Sequence, residues 1–453
     1  MKKPIKVCSI FILLLIFLSF QVTAEKSLSL FPDNSSIRKS LIPLVFDKEL
    51  SLTTDFEKRL FTDETGQNWR LWVEKDTENI KYFFSPGQNG IFSASSQGTW
   101  ILYRDVMSGE PTKLQIVLRT HYPCFLEILP YGKQSTISLI IQNAYFSQNS
   151  TISIPLKRFY ELSFSQLKTT ISPLIDWSYA DPDPVLYKNN RRLIKNLNDN
   201  LRNISYGEDG CYDENNQLVS ITTNKPDSKI KGINCSGFVK WIVDALVWPV
   251  IGQGLFIEPL KSQTVAFNDD DLNNKPTAQA SAKTYSRDYT ADREPFFGLD
   301  WTRNLAAAAA SVFCNRNLTP KTAAVDVTTI PFSALYEKTP SVKSVNSYIP
   351  NMGFSVSILK PLLYALAVSE PDTLYLASIN GLKAGKTGEK PLRQHYHTAV
   401  LIPTILTDGS FTVAVFESGE ATTLESFINR NKTEHIHLAR IRTPGQVYFP
   451  VNQ

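Results

Sequence analysis

Gly232-Ile233-Asn234-Cys235-Ser236-Gly237-Phe238-Val239-Lys240-Trp241-Ile242-Val243-Asp244-Ala245-Leu246 is a polar turn that delivers a cysteine to the start of a helix. Val239, Ile242, Val243 and Leu246 follow Cys235 by four, seven, eight and eleven residues, the spacing of one buried helical stripe. Lys240 and Asp244 fall off that stripe. A thiol at a helix N-terminus meets unpaired backbone N–H groups and the positive end of the macrodipole. Both favour the thiolate, which is the nucleophile. The rival reading of the same residues is a small core cysteine packed under a helix. The rest of the chain has to decide between the two.

Immediately upstream, Tyr187 to Ile204 carries Leu193, Ile194, Leu197 and Leu201 at helical spacing, followed by a turn-rich loop from Ser205 to Lys231. Ala180-Asp181-Pro182-Asp183-Pro184 reads as a linker. Ahead of it, from about Ser27 to Trp177, short β-branched and aromatic runs alternate with turns such as Ser108-Gly109-Glu110-Pro111. Such a module suits binding or positioning, and its one histidine, His121, suggests no chemistry. The first residues, with Lys2, Lys3 and Lys6 before an apolar run from Ser9 to Phe20 and a polar, small-residue stretch to Ala24, have the form of an export signal cleaved after Ala24. That run is too short for the ~20 residues that span a bilayer.

Lys and Arg total 47 against 43 Asp and Glu, and loss of the three leading lysines brings the balance close to neutral. A neutral chain argues against nucleic acid and offers no polybasic face to a membrane. Cys124, Cys211 and Cys314 accompany Cys235 beyond the signal, so with Cys235 a free thiol at most one disulfide can form. Asn268-Asp269-Asp270-Asp271 lacks the ligand spacing of an EF-hand and reads as a solvated loop.

A thiolate nucleophile needs a base, and the base needs a group to orient it. Four of the five histidines lie in the final part of the chain, and His397 opens the strand His397-Thr398-Ala399-Val400-Leu401-Ile402. Glu417 ends Phe411 to Glu417, the return strand of the same hairpin. Cys235 as nucleophile, His397 as general base and acid, and Glu417 as orienting group therefore form a candidate triad, with the Cys235 amide as an oxyanion donor.

Asn234-Cys235-Ser236-Gly237-Phe238-Val239 resembles the signature of NlpC-type papain-like cysteine peptidases, which cut bacterial cell-wall peptides. Asn203-Ile204-Ser205-Tyr206-Gly207, Glu370 to Leu376, His397 to Val400, Phe416-Glu417-Ser418 and Leu438 to Arg442 are similar to further family segments, in the family's order. The resemblance covers most of 190–260 and 368–443. It departs from the family at Asn234, where Asp is usual, and at Glu417, where His, Asn or Gln is usual. It implies an α+β chain, in which a C-terminal papain-like domain packs the cysteine helix on an antiparallel sheet beside a separate N-terminal all-β domain. The corresponding division is a signal at 1–24, an all-β module at 27–178 and a hydrolase domain at 179–453. A long insertion at about 250–368 would then form a lid or wall.

The implied activity is hydrolysis of an amide in a peptidoglycan stem peptide, outside the cytoplasm, with no cofactor. Tyr206 and Ser236 are the implied substrate-binding residues. Three other readings stay open. One is a zinc site from the alternate pairs His395/His397 and His435/His437. The second is an inactive cell-envelope binding protein. The third is an acyltransferase or amidase acting on another acyl group.

Overall fold

The computed structural model describes residues 27–47, 58–265, 295–328, 334–335, 348–383 and 392–450. The expected export signal at 1–24 and the acidic run at 268–271 lie outside these residues.

Eight strands occupy residues 59–152 and pair antiparallel with their sequence neighbours: β1 (Arg59–Thr62), β2 (Asn68–Lys75), β3 (Asn79–Pro86), β4 (Trp100–Asp105), β5 (Pro111–Val117), β6 (Cys124–Tyr131), β7 (Gln134–Ile141) and β8 (Ala144–Ile152). Period-2 alternation gives them one apolar face. Leu114 and Ile116, Leu126 and Ile128, Ile137 and Leu139 all point into it and are buried. Three helices cover that face: α1 (Ser35–Val45), α2 (Leu156–Glu161) and α3 (Phe164–Ile171). Asn34 caps α1 by accepting from the Ile37 amide, and Ser163 with Gln166 makes a capping box on α3. The stretch expected to be all-β thus carries its own helices.

The second sheet has six strands, β12 (Phe354–Ser355), β13 (Thr373–Lys383), β14 (Leu392–Ile405), β15 (Phe411–Glu417), β16 (Glu420–Thr423) and β17 (His435–Arg442), in the order β12-β17-β13-β14-β15-β16. The first nine residues of β13 are all buried, so this sheet is covered on both faces. Leu374, Leu376, Val400 and Ile402 pack with α5 (Cys235–Ile251) and with Trp301 and Leu305 of α7 (Phe297–Cys314), defined below. The intervening Tyr375, Ala377, Ala399 and Leu401 pack with α8 (Leu359–Ser369) and α9 (Leu424–Asn431). Between the two sheets in sequence come α4 (Lys188–Asn200), the small hairpin β9 (Gly210–Tyr212) and β10 (Leu218–Ser220), and α6 (Ile257–Leu260). Helix α7 follows α6, and β11 (Ala334–Leu335) adds a ninth strand to the first sheet beside β8.

Contacts tie the two halves together. Tyr364 and Ala367 of α8 sit in the core of the first sheet, where Tyr122 Oη and Tyr364 Oη are 2.9 Å apart and Tyr364 donates to the Tyr179 carbonyl. Asp181, inside the expected linker, pairs with Arg119 and accepts from Ser27 Oγ and the Leu28 amide.

The fold class expected from the sequence is overturned. Two large antiparallel sheets dominate and strands outnumber helices, so this is a mostly-β fold rather than a papain-like α+β domain. The physical cause is that apolar runs after residue 370 form long strands; β13 and β14 extend for 11 and 14 residues. Among the described residues, no helix is long and apolar enough to cross a membrane.

Candidate active site

Asn234 caps α5: its backbone is extended and its side chain accepts from the Gly237 amide at 2.8 Å. This is the ordinary work of a cap residue, and Asn performs it as well as Asp. The segment before the cap runs alongside residues 205–207, with the Ile233 amide donating to the Ser205 carbonyl and the Gly207 amide to the Ile233 carbonyl. Behind the first turn, Gly237 lies so close to β9 that a Cβ would fall 2.2 Å from the Gly210 carbonyl oxygen. Glycine in the Asn-Cys-Ser-Gly run is therefore a packing requirement, and it fixes where Cys235 emerges.

The six-stranded sheet brings the partners to that point. His397 pairs with Ile379 and His395 with Asn380, so Tyr396 is the extra residue of a β-bulge that changes the aim of the strand at His397. Glu417 closes β15 against Glu420, and the two-residue turn between them, Ser418-Gly419, has both φ angles positive, at 50° and 82°. That is the twist a tight hairpin prefers. His397 Nε2 lies 2.8 Å from Glu417 Oε2. The same imidazole lies near enough to Cys235 for ring and thiol to favour each other's charged form.

Burial pushes the Cys235 thiol up, but the hydrogen bond and charge of His397, followed by the Thr398 amide and hydroxyl, outweigh it and bring the thiol down to about 7. For His397, burial favours the neutral ring, yet Cys235 and Glu417 together raise it to about 9. Burial of Glu417 is outweighed by His397 and Arg430, which hold its carboxyl below the usual range. Near neutral pH the arrangement favours a thiolate–imidazolium pair backed by a carboxylate.

All three triad candidates are thus brought together. Tyr206 stands beside Ile233, 58 % exposed, on the segment flanking the nucleophile. Ser236 is buried at 4 % exposure, and its carbonyl accepts from the Trp301 indole at 2.9 Å. Of the paired histidines, His395 and His437 serve elsewhere. His395 Nε2 donates to the Asn351 carbonyl and Nδ1 accepts from Ser378 Oγ, both at 2.8 Å, and burial drives the ring down to about 3. His437 is buried against Asp326, which also takes a two-point contact from Arg303. No group of three or more metal-ligating side chains forms among the described residues.

The described part of the 250–368 region includes core as well as surface. Trp301 and Leu305 of α7 are fully buried against α5. Three residues near the site escaped the sequence reading. Thr398 adjoins the histidine and was within reach of it. Trp301 and Arg430 meet the site only through tertiary folding, and no local pattern marks them.

The geometry carries the reading further than comparison with known proteins does. A family described as "Domain of unknown function (DUF8515)" matches residues 27–179. No curated protein and no solved structure matches the chain. Cys235, His397 and Glu417 all lie outside the matched stretch.

Proposed function

We propose that the protein is an exported cysteine hydrolase that cleaves an amide through an acyl-enzyme. The single observation that supports this best is that Cys235 at the N-terminus of α5 is electrostatically coupled to His397, whose ring is hydrogen-bonded to Glu417. The Cys235 thiolate attacks the carbonyl carbon. The resulting oxyanion takes a hydrogen bond from the Cys235 amide, one of the first-turn N–H groups that lack an intrahelical acceptor. Imidazolium His397 gives its proton to the departing amine as the C–N bond breaks. Water, deprotonated by the now neutral ring, then attacks the thioester and releases a carboxylic acid and the thiolate. Glu417 keeps the ring oriented and stabilises its charged form through both half-reactions.

The substrate class we propose is the stem peptide of peptidoglycan. Its support is the likeness of Asn234-Cys235-Ser236-Gly237-Phe238-Val239 to the NlpC-type signature, with Tyr206 exposed beside the nucleophile. Digesting purified peptidoglycan with the wild-type protein and with Cys235→Ala, and weighing the products by mass spectrometry, tests it. Fragments that appear with the wild type alone are expected; identical product lists would refute the peptidase reading.

A further inference from the structure

We propose that Arg430 is a fourth member of this site, a positioning residue that holds one oxygen of Glu417 and thereby presents the other to His397 while moderating the negative charge His397 experiences. The inference rests on the triad reading above and adds to it a group that neither the motif nor any family match supplies.

The two oxygens of Glu417 are divided. Oε2 faces His397 Nε2 at 2.8 Å, and Oε1 takes Arg430 Nη2. Arg430 is itself held: Nη1 donates to Ser426 Oγ at 2.9 Å, one turn earlier on α9. The Ser426 amide in turn is capped by Thr423 Oγ1, where β16 passes into α9. A chain of contacts therefore runs from the start of α9 to the Cys235 sulfur. A glutamate has three side-chain torsions to fix, and an unrestrained carboxylate would present its oxygens to the ring in many orientations. A second donor on the far oxygen removes that freedom.

The charge argument is separate from the positional one. Glu417 is the anion nearest His397, and an unopposed anion would hold the ring as imidazolium so firmly that proton donation to a leaving amine would suffer. A guanidinium on the same carboxylate reduces that pull. The charged and titratable groups around Glu417 are Cys235 from α5, His397 and Tyr396 from β14, Glu420 across the hairpin and Arg430 from α9. Arg430 is the cation among them besides imidazolium itself. Its side chain is 49 % exposed, while that of Glu417 is 13 % exposed, so replacing Arg430 should disturb the site without unpacking a core.

The test uses purified protein and two measurements that need no substrate: the pH dependence of Cys235 alkylation by iodoacetamide, and the NMR titration of the His397 ring. The wild type should show a thiolate half-formed near pH 7 and an imidazole titrating near 9. Arg430→Gln should move the imidazole midpoint upward by about half a unit to one unit, as loss of a nearby cation does, and Arg430→Lys should return most of that shift. A midpoint in Arg430→Gln that stays put, or a shift that Lys fails to restore, overturns the proposal for Arg430 and leaves the triad standing; a fall would mean that the freed Glu417 carboxylate has left the ring, so that the positional role outweighs the charge one. A wild-type Cys235 with an unperturbed thiol profile would instead remove the hydrolase reading and this inference with it.

Discussion

Both halves of the molecule bury charge, but to different ends. Under the first sheet, Arg38 is fully buried, stacks 3.6 Å over the Trp100 ring, pairs with Asp33 and donates to the Tyr160 and Leu162 carbonyls. Burial lowers its pKa and Asp33 opposes the change, yet a guanidinium starts so high that it stays charged across the physiological range. On the second sheet, Cys235 and His397 are brought to about 7 and 9, where protonation changes under ordinary conditions. One arrangement is a permanent clamp and the other a pair that can exchange a proton. Burial alone does not mark a functional group; burial with a titration midpoint near working pH does.

The comparison can be broken in several places. Cys235→Ala should lower amide hydrolysis by at least about 10³-fold in a protein that still melts cooperatively, because a nucleophile acts as a unit with its base; residual turnover within tenfold of wild type would refute its role. Arg38→Leu should do the reverse. It leaves Asp33 beside a core without its partner and should cost roughly 3–5 kcal/mol of stability, as broken buried pairs do, with Cys235 alkylation unchanged in the surviving folded protein. A chemical denaturation curve superimposable on the wild type would mean that Arg38 clamps nothing. Glu417→Gln keeps the shape and removes the charge, so the His397 midpoint should fall from about 9 toward the ordinary 6.5; NMR titration reads this directly.

The pair also makes stability depend on pH. His397, raised above its ordinary 6.5, contributes fully below that value and loses its contribution as pH rises through about 9. Cys235, depressed from its ordinary 9.0, contributes above that value and loses its share as pH falls through about 7. Each shift depends on the other group's charge, thiolate held by imidazolium and imidazolium by thiolate, so the stability that Cys235→Ala removes should be largest between about pH 7 and 9, where both are charged, and shrink as either charge is lost. Trp301→Phe removes the indole donor to the Ser236 carbonyl and shrinks a fully buried side chain, so it should cost about 2–3 kcal/mol from the unpaired acceptor and the cavity together. Thermal melts would detect it.

Much of the site was legible because its signals are local. A helix beginning at Cys235 was marked by the polar turn before it and the stripe from Val239 to Leu246. The strands Phe411–Glu417 and His435–Arg442 matched their sequence limits, since turn residues bound them. The fold class was misread because the inference ran from a motif to an architecture, whereas sheet extent depends on long-range pairing. The helices under the first sheet had a visible sign, Ser163 three residues before Gln166, which β-branched neighbours on both sides obscured. Arg430 had no sign at all, since its meeting with Glu417 depends on how β16 turns into α9.

Helix α8 contributes Tyr364 and Ala367 to one hydrophobic core and Leu362, Leu363, Ala365 and Leu366 to the other. Tyr364 donates to the carbonyl of Tyr179, the last residue of the stretch that matches a known family. The segment of sequence that recurs among proteins and the segment that folds are therefore different lengths of chain. Cut after residue 179, the first sheet would lose the helix face that completes its interior and expose an aromatic gap around Tyr122. In this chain, residues beyond the matched stretch supply the helix that closes the core of the first sheet.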